Sequence, residues 1–231
     1  MSIVMKNARI LHEGYDLSCD VNEVKTKVSV NMVEDTCMGS DTRTKKAGLM
    51  EVSGSISGFY ANEHLIDTLD DDILGIFSMF PNSQNPIGFS FKGLVSSWDR
   101  GAKVGDLVTL SAELAGTTKM IRTTLLHSGP RTVSGVGTPI ILRPVLANEV
   151  LHAVLHVTKI TGTVGITVAI ESDDAAEFTT PISRIAFGQI TTPGAAWVSI
   201  AGPVADQFYS PKWTFTGTGT IEFTLAIGIE S

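Results

Sequence analysis

The 231-residue sequence predicts a mainly β protein, and three observations carry that reading. Two stretches alternate apolar and polar residues with period two. In the first, Val24, Val28, Val30 and Met32 oppose Glu23, Lys25, Lys27, Ser29 and Asn31; in the second, Leu151, Ala153, Leu155 and Val157 oppose His152, Val154 and His156. A strand turns successive side chains to opposite faces, so this period marks half-buried strands with one wet face. With 22 Gly, 9 Pro and only 18% charged residues, the composition suits strands joined by turns. Only one segment has convincing helical spacing.

Residues 3–32 read as strands interrupted near His12–Ser18, where HEGYDLS has turn chemistry. Val33–Gly48 is polar and long for a hairpin connection, since most connections run about 4–6 residues and loops beyond ~12–15 are usually functional or disordered. Leu49–Tyr60 returns as a strand whose glycines allow close backbone approach. The helix is expected over 62–74. Asn62 is its N-cap, Leu65, Ile66, Leu69, Ile73 and Leu74 form its apolar stripe, and Gly75 stops it. Asp67 and Asp70–Asp72 crowd its wet side and last turn, where acids oppose the helix dipole.

Strands follow near Ile87–Ser97, Asp106–Leu114 and Lys119–His127, and Ser128–Thr138 (SGPRTVSGVGT) reads as a linker. Beyond it, candidates at 139–146, 150–160, 164–171, 182–188, 196–201, 207–215 and 220–229 have the short, regular spacing of a β-sandwich. The expected organisation is a β-sandwich or barrel domain over 1–130 with the helix flanking it, then a second β-sandwich over 131–231.

Charge and motifs narrow the function. A net charge of −7 gains no counterion-release affinity for a phosphate backbone, so direct nucleic-acid binding is disfavoured. The hydrophobic fraction is 43%, yet no apolar run approaches the ~20 residues that span a bilayer. The start MSIVMKNARI has no secretory-signal pattern. So apolar a chain has surface to hide against copies of itself. Cys19 and Cys37 are expected as free thiols, because nothing places the chain in an oxidising compartment.

His152 and His156 have zinc-site spacing but lie on a strand, with no third ligand and no adjacent Glu. Asp70–Asp72 and the turn carrying Glu171, Asp173, Asp174 and Glu177 lack the pattern of a calcium loop. Gly135-Val-Gly137 and Gly217-Thr-Gly219 are turns with no helix N-terminus behind them. No Gly-x-Ser-x-Gly elbow exists, and nothing pairs a nucleophile with a His. No catalytic residue, metal or cofactor is therefore expected. Trp197, Tyr209 and Trp213 are the concentrated aromatics of the second block, able to stack on sugar rings if exposed and otherwise core.

The run Gly14–Tyr60 (GYDLSCDVNEVKTKVSVNMVEDTCMGSDTRTKKAGLMEVSGSISGFY) resembles the N-terminal region of tail tube (major tail) proteins of long-tailed bacteriophages. The shared features are an alternating strand, a DTCMGSDTR loop, an AGL re-entry and a GSISGF strand before a helix. The later LHAVLHV, IESDD, RIAF, WVSIAGPV and WTFTGTGTIEFTLAIGI resemble the accessory β-domain often fused behind it. The resemblance implies a non-enzymatic virion protein that is assembled in the host cytoplasm into stacked hexameric rings. Its partners would be copies of itself and other tail proteins, and DNA would pass through the rings at ejection without specific binding.

In such proteins the long loop reaches the neighbouring ring. Here that loop is Val33–Gly48, with Glu34, Asp35 and Asp41 set against Arg43, Lys45 and Lys46. A capsid decoration or other virion β-protein and a carbohydrate-binding or adhesin module using Trp197, Tyr209 and Trp213 are the alternatives. The long loop and the helix favour the tube.

Overall fold

The computed structural model describes residues 7–36, 42–59, 74–82 and 85–230. Among these residues every regular element is a strand. In chain order they are β1 (Arg9–His12), β2 (Tyr15–Asp16), β3 (Val21–Glu34), β4 (Lys45–Phe59), β5 (Gly75–Phe80), β6 (Ile87–Gly101) and β7 (Thr109–Gly116). Then come β8 (Ile121–Arg131), β9 (Gly135–Val136), β10 (Ile140–Ile141), β11 (Val150–Asp173), β12 (Ile182–Ala186), β13 (Gly194–Ala201) and β14 (Phe208–Glu230). The mainly β class agrees with the sequence reading. The helix expected over 62–74 falls outside the described residues except for Leu74, which is not helical, so the described fold contains no flanking helix.

The chain divides into two compact units, each built from segments distant in sequence. One comprises residues 1–19, 76–90 and 121–231; the other comprises 20–75 and 91–120. The stretch 128–138 carries the end of β8, whose Arg131 pairs with Ile221 of β14, and the short strand β9, whose Gly135 pairs with Trp213.

The first unit is organised by an antiparallel ribbon of β11 and β14, in register from Val150 opposite Glu230 to Asp173 opposite Phe208. Sequence periodicity divides each of these strands in two at the glycine-rich middle, where the structure runs through. The reason is Gly217, at φ +88: a Cβ there would lie 2.1 Å from the Thr163 carbonyl oxygen, so only glycine lets the two backbones pass. Strands β12 and β13 pair with successive parts of β11, and β8, β9 and β10 pair with β14.

Leu151, Leu155, Ile166, Ile170, Tyr209, Ile221, Phe223 and Leu225 fill the core against this ribbon. The alternation over 151–157 predicts a wet face, and here the structure corrects it: His152, Val154 and His156 are buried as well. Both faces of this stretch are covered, and the two imidazoles are accommodated by hydrogen bonds. His156 Nε2 meets Ser78 Oγ at 2.9 Å, and Ser78 Oγ meets Ser90 Oγ at 2.8 Å.

In the second unit the pairing order is β3, β4, β7 and then the later part of β6, antiparallel throughout. On one face, Val52 and Ile56 of β4 and Leu110, Ala112 and Leu114 of β7 are buried with Phe91. Gly54 makes room there, since a Cβ on it would stand 3.2 Å from the Phe91 ring. The opposite face is hydrophilic: Glu23, Lys25 and Lys27 on β3, Ser53, Ser55 and Ser57 on β4, and Ser111 and Glu113 on β7.

Candidate functional site

The feature that calls for a partner is the outer half of the β3–β4 hairpin. Paired residues of an antiparallel ladder share a face, so Val28 opposite Val52 and Val30 opposite Met50 continue the buried face of the second unit outward. A bulge between Val30 and Met32 adds a residue to β4, and beyond it Met32 pairs with Ala47. On the isolated chain this apolar stripe is bare: Val28 is 47% exposed, Met32 54%, Met50 50% and Leu49, in the bulge, 87%. Alternation identified the strand correctly. What it could not reveal is that the apolar side stays exposed among the described residues.

At the tip, Asp35 N donates to Thr44 O at 2.9 Å and Thr44 Oγ1 donates to Asp35 O at 2.6 Å, so the hairpin stays zipped well into the expected loop. Residues 33, 34 and 45–48 are strand, and the connection shortens to 35–44. Arg43 Nε lies 3.8 Å from Glu34 Oε1, and Lys46 pairs with Asp35. Lys45 faces solvent opposite Glu34, and Asp41 lies outside the described residues. The structure thus brings four of the six loop charges together as exposed pairs, each contributing about 0–1 kcal/mol at most.

The three aromatics do not form a platform. Tyr209 and Trp213 are core residues. Trp213 Nε1 donates to the Val133 carbonyl at 3.1 Å, and its ring meets His127 at 5.1 Å between centroids. Trp197 is half-buried on β13, where its Nε1 lies 3.0 Å from His152 Nδ1. The Tyr209 hydroxyl has no hydrogen-bond partner among the described residues, and burial pushes its pKa up to about 12. A buried hydroxyl without a partner costs about 1–3 kcal/mol. Tyr209→Phe should therefore leave stability unchanged or raise it by about 1 kcal/mol in urea denaturation; a loss beyond that would mean the hydroxyl is satisfied.

The remaining sequence candidates resolve into structural roles. His152 and His156 share a strand face but hold different partners, and no group of three metal-ligating side chains occurs among the described residues. Asp173 accepts from the amides of Ala175 at 3.0 Å and Thr180 at 2.8 Å, which hold its carboxyl below the usual range. It staples the acidic turn. A cleft of about 590 Å³ in the first unit is lined by Arg9, Asp16, Phe80, Leu125 and His127. The Arg9 guanidinium there is held by Asp16 at 3.0 Å and Glu222 at 2.7 Å, so its charge is already balanced by carboxylates.

One arrangement had no local sequence signal. Ser199 of β13 stands opposite His152 of β11, and Ser199 Oγ lies 2.7 Å from His152 Nδ1. The other ring nitrogen, Nε2, lies 3.0 Å from Glu230 Oε2. These residues are 47 and 78 positions apart, and only strand register joins them.

No family model matches the chain, and no curated protein matches it in sequence. Among solved structures, the chain is similar to the SPP1 Dit protein, described as a hub adsorption apparatus of phages that infect Gram-positive bacteria. That match has 10% identity over 98% of this chain and 100% of that one, at a TM-score of 0.43. A chain from the virion of a native gene transfer agent particle matches with 14% identity over 52% of this chain and 98% of that one, at 0.44. A chain of the phage p2 baseplate in its activated conformation with Sr matches with 6% identity over 97% and 98%, at 0.36.

Proposed function

We propose that this chain is a structural subunit of a phage tail, of the tail tube type, that assembles with copies of itself into stacked rings. The observation that carries the reading is the bare apolar stripe of Val28, Val30, Met32, Leu49 and Met50 on a hairpin whose other face is polar. A sheet with one apolar and one hydrophilic face is stable in water when neighbours cover the first and solvent meets the second. Six such sheets closed into a ring lose their exposed edges, and the Ser-rich, mixed-charge face becomes the lining that DNA passes without sticking. The resemblance of Gly14–Tyr60 to tail tube proteins supports the same arrangement.

In this reading Glu34, Asp35, Asp41, Arg43, Lys45 and Lys46 lie at the contact between stacked rings. The pairs formed within one hairpin exchange there for equivalent pairs with the next ring, and they set register more than affinity.

The test is a concentration series of the purified chain by light scattering, with negative-stain imaging of the same samples. Rings or tubes are expected at high concentration. A chain that stays monomeric at every concentration and salt tried would overturn the proposal.

A further inference from the structure

The hydrogen bonds around His152 have a chemical order that packing alone does not require. Strands β13, β11 and β14 lie side by side, and register puts four side chains on one face: Trp197 and Ser199 on β13, His152 on β11 and Glu230 on β14. Ser199 is directly opposite His152. Trp197 and Glu230 are its diagonal neighbours, within reach of long side chains. Trp197 Nε1 lies 3.2 Å from Ser199 Oγ and 3.0 Å from His152 Nδ1.

A neutral His152 protonated on Nε2 fits this set. Glu230 is a carboxylate and accepts from His152 Nε2–H at 3.0 Å, which leaves the lone pair on Nδ1. The Ser199 hydroxyl donates to that lone pair at 2.7 Å, and the indole N–H of Trp197 is shared between Nδ1 at 3.0 Å and the hydroxyl oxygen at 3.2 Å. Ser199 is exposed, while His152 beneath it is only 8% exposed.

We infer that Ser199 is an activated nucleophile, able to accept an acyl or phosphonyl group from an ester-type substrate. His152 acts as general base, Glu230 is a positioning residue, and Trp197 touches the reacting oxygen directly. The roles are those of a nucleophile, a base within hydrogen-bond reach and a third group that orients the base. Here the serine bonds Nδ1 and the carboxylate bonds Nε2. In the step itself, Ser199 Oγ bonds to the electrophilic carbon or phosphorus and its proton moves to His152 Nδ1. The leaving group departs with the electron pair of the broken bond. The resulting imidazolium is stabilised by Glu230 and returns its proton to the leaving group or to water. The indole N–H of Trp197 stabilises negative charge on Oγ before the bond forms.

The probe is an alkyl fluorophosphonate, which phosphonylates an activated serine as its P–F bond breaks and fluoride leaves. The full-length chain would be treated at neutral pH and read by intact mass and peptide mapping. A single adduct on Ser199 is expected, forming about 10²-fold faster than on other exposed serines, the low end of what a positioned base contributes. Ser199→Ala should abolish it, and urea-unfolded chain should show no preference for Ser199. Because His152 is buried and its replacement risks the fold, the half-buried Glu230 supplies the second variant. Glu230→Gln should slow labelling about tenfold with unchanged circular dichroism, and Glu230→Asp should recover part of the rate. An unmodified Ser199, or a Glu230→Gln rate equal to that of the parent, would show the four side chains to be a static polar contact and overturn the inference.

Discussion

Acidification from pH 7 to pH 4.5 is expected to remove about 5 kcal/mol of folding stability, through two histidines buried in the first unit. His12 is 3% exposed and His156 1%, and neither Nδ1 has a hydrogen-bond partner among the described residues. Burial lowers the pKa of His12 from 6.5 to about 4, and burial, with the nearby His12 charge adding to it, lowers that of His156 to about 3. Asp16 acts on His156 in the opposite sense, and Ser78 is its direct partner.

The sign follows from proton counting. Above pH 6.5 both imidazoles are neutral in folded and unfolded chains alike, and they contribute no pH dependence. Below it the unfolded chain takes up protons that the folded chain refuses, so stability falls as pH falls, at about 1.4 kcal/mol per pH unit for each histidine. The loss runs from pH 6.5 to about 4 for His12 and to about 3 for His156.

Two units of descent with two histidines give the figure above, comparable with the whole stability of many domains, about 5–15 kcal/mol. His127 shifts in the same direction because of burial and adds to the trend. Urea midpoints at pH 7.5, 6.0, 5.0 and 4.5 would measure it. His156→Gln should flatten the slope by about half. Equal midpoints at pH 7.5 and 5.0, or an unchanged slope in the variant, would count against the burial argument.

The second large effect concerns assembly. Val30→Asp with Met32→Asp should abolish rings while leaving the monomer folded. Both side chains are exposed on the single chain, and exposed substitutions usually change stability by only about 0.5 kcal/mol. In the proposed ring the same side chains would be covered, and since Val30 is 39% and Met32 54% exposed beforehand, the two together would contribute about 1.5–3 kcal/mol. Losing both would weaken each contact by about 10–10²-fold, and every subunit of a closed ring would carry the defect. Sulfate should strengthen association of the parent chain, since apolar contacts gain from excluded salts.

Reversing Arg43, Lys45 and Lys46 to Glu is the contrasting variant. It should leave single rings intact and shorten or eliminate tubes. Sedimentation with negative-stain imaging separates the outcomes. Intact rings from the double Asp variant would place the ring contact elsewhere.

The strands were legible because period two survives whatever covers them. Glu23–Met32 announces β3, and Leu151–Val157 announces the start of β11. Alternation records polarity, however, and burial depends on what lies above each face. The His152–His156 face looked wet because imidazole is polar, yet both rings are buried, with Ser199 and Glu230 bonding His152 and Ser78 bonding His156. The Val28–Met32 face looked buried because it is apolar, yet among the described residues it stays about half exposed.

The Val33–Gly48 loop looked long because Lys45 and Lys46 do not read as strand residues, although their pairing with Glu34 and Val33 extends β4 to include them. The Ser199–His152–Glu230 set was invisible for a different reason. It exists only once three strands have found their register, and no short motif encodes a register.

The order in which these pieces leave the ribosome adds a constraint on where the chain can associate. The salt bridge from Arg9 to Glu222 spans 213 positions, and the first unit needs β14 for its central ribbon. That unit cannot close until synthesis has passed Glu222. The second unit is complete in sequence by residue 120, so its bare hairpin is displayed while more than 100 residues are still to be made. Nascent chains on one messenger would thus present the sticky surface to one another early, at high local concentration. A holdase that shields Val28–Met32 during translation would keep such nascent chains apart until the first unit has closed.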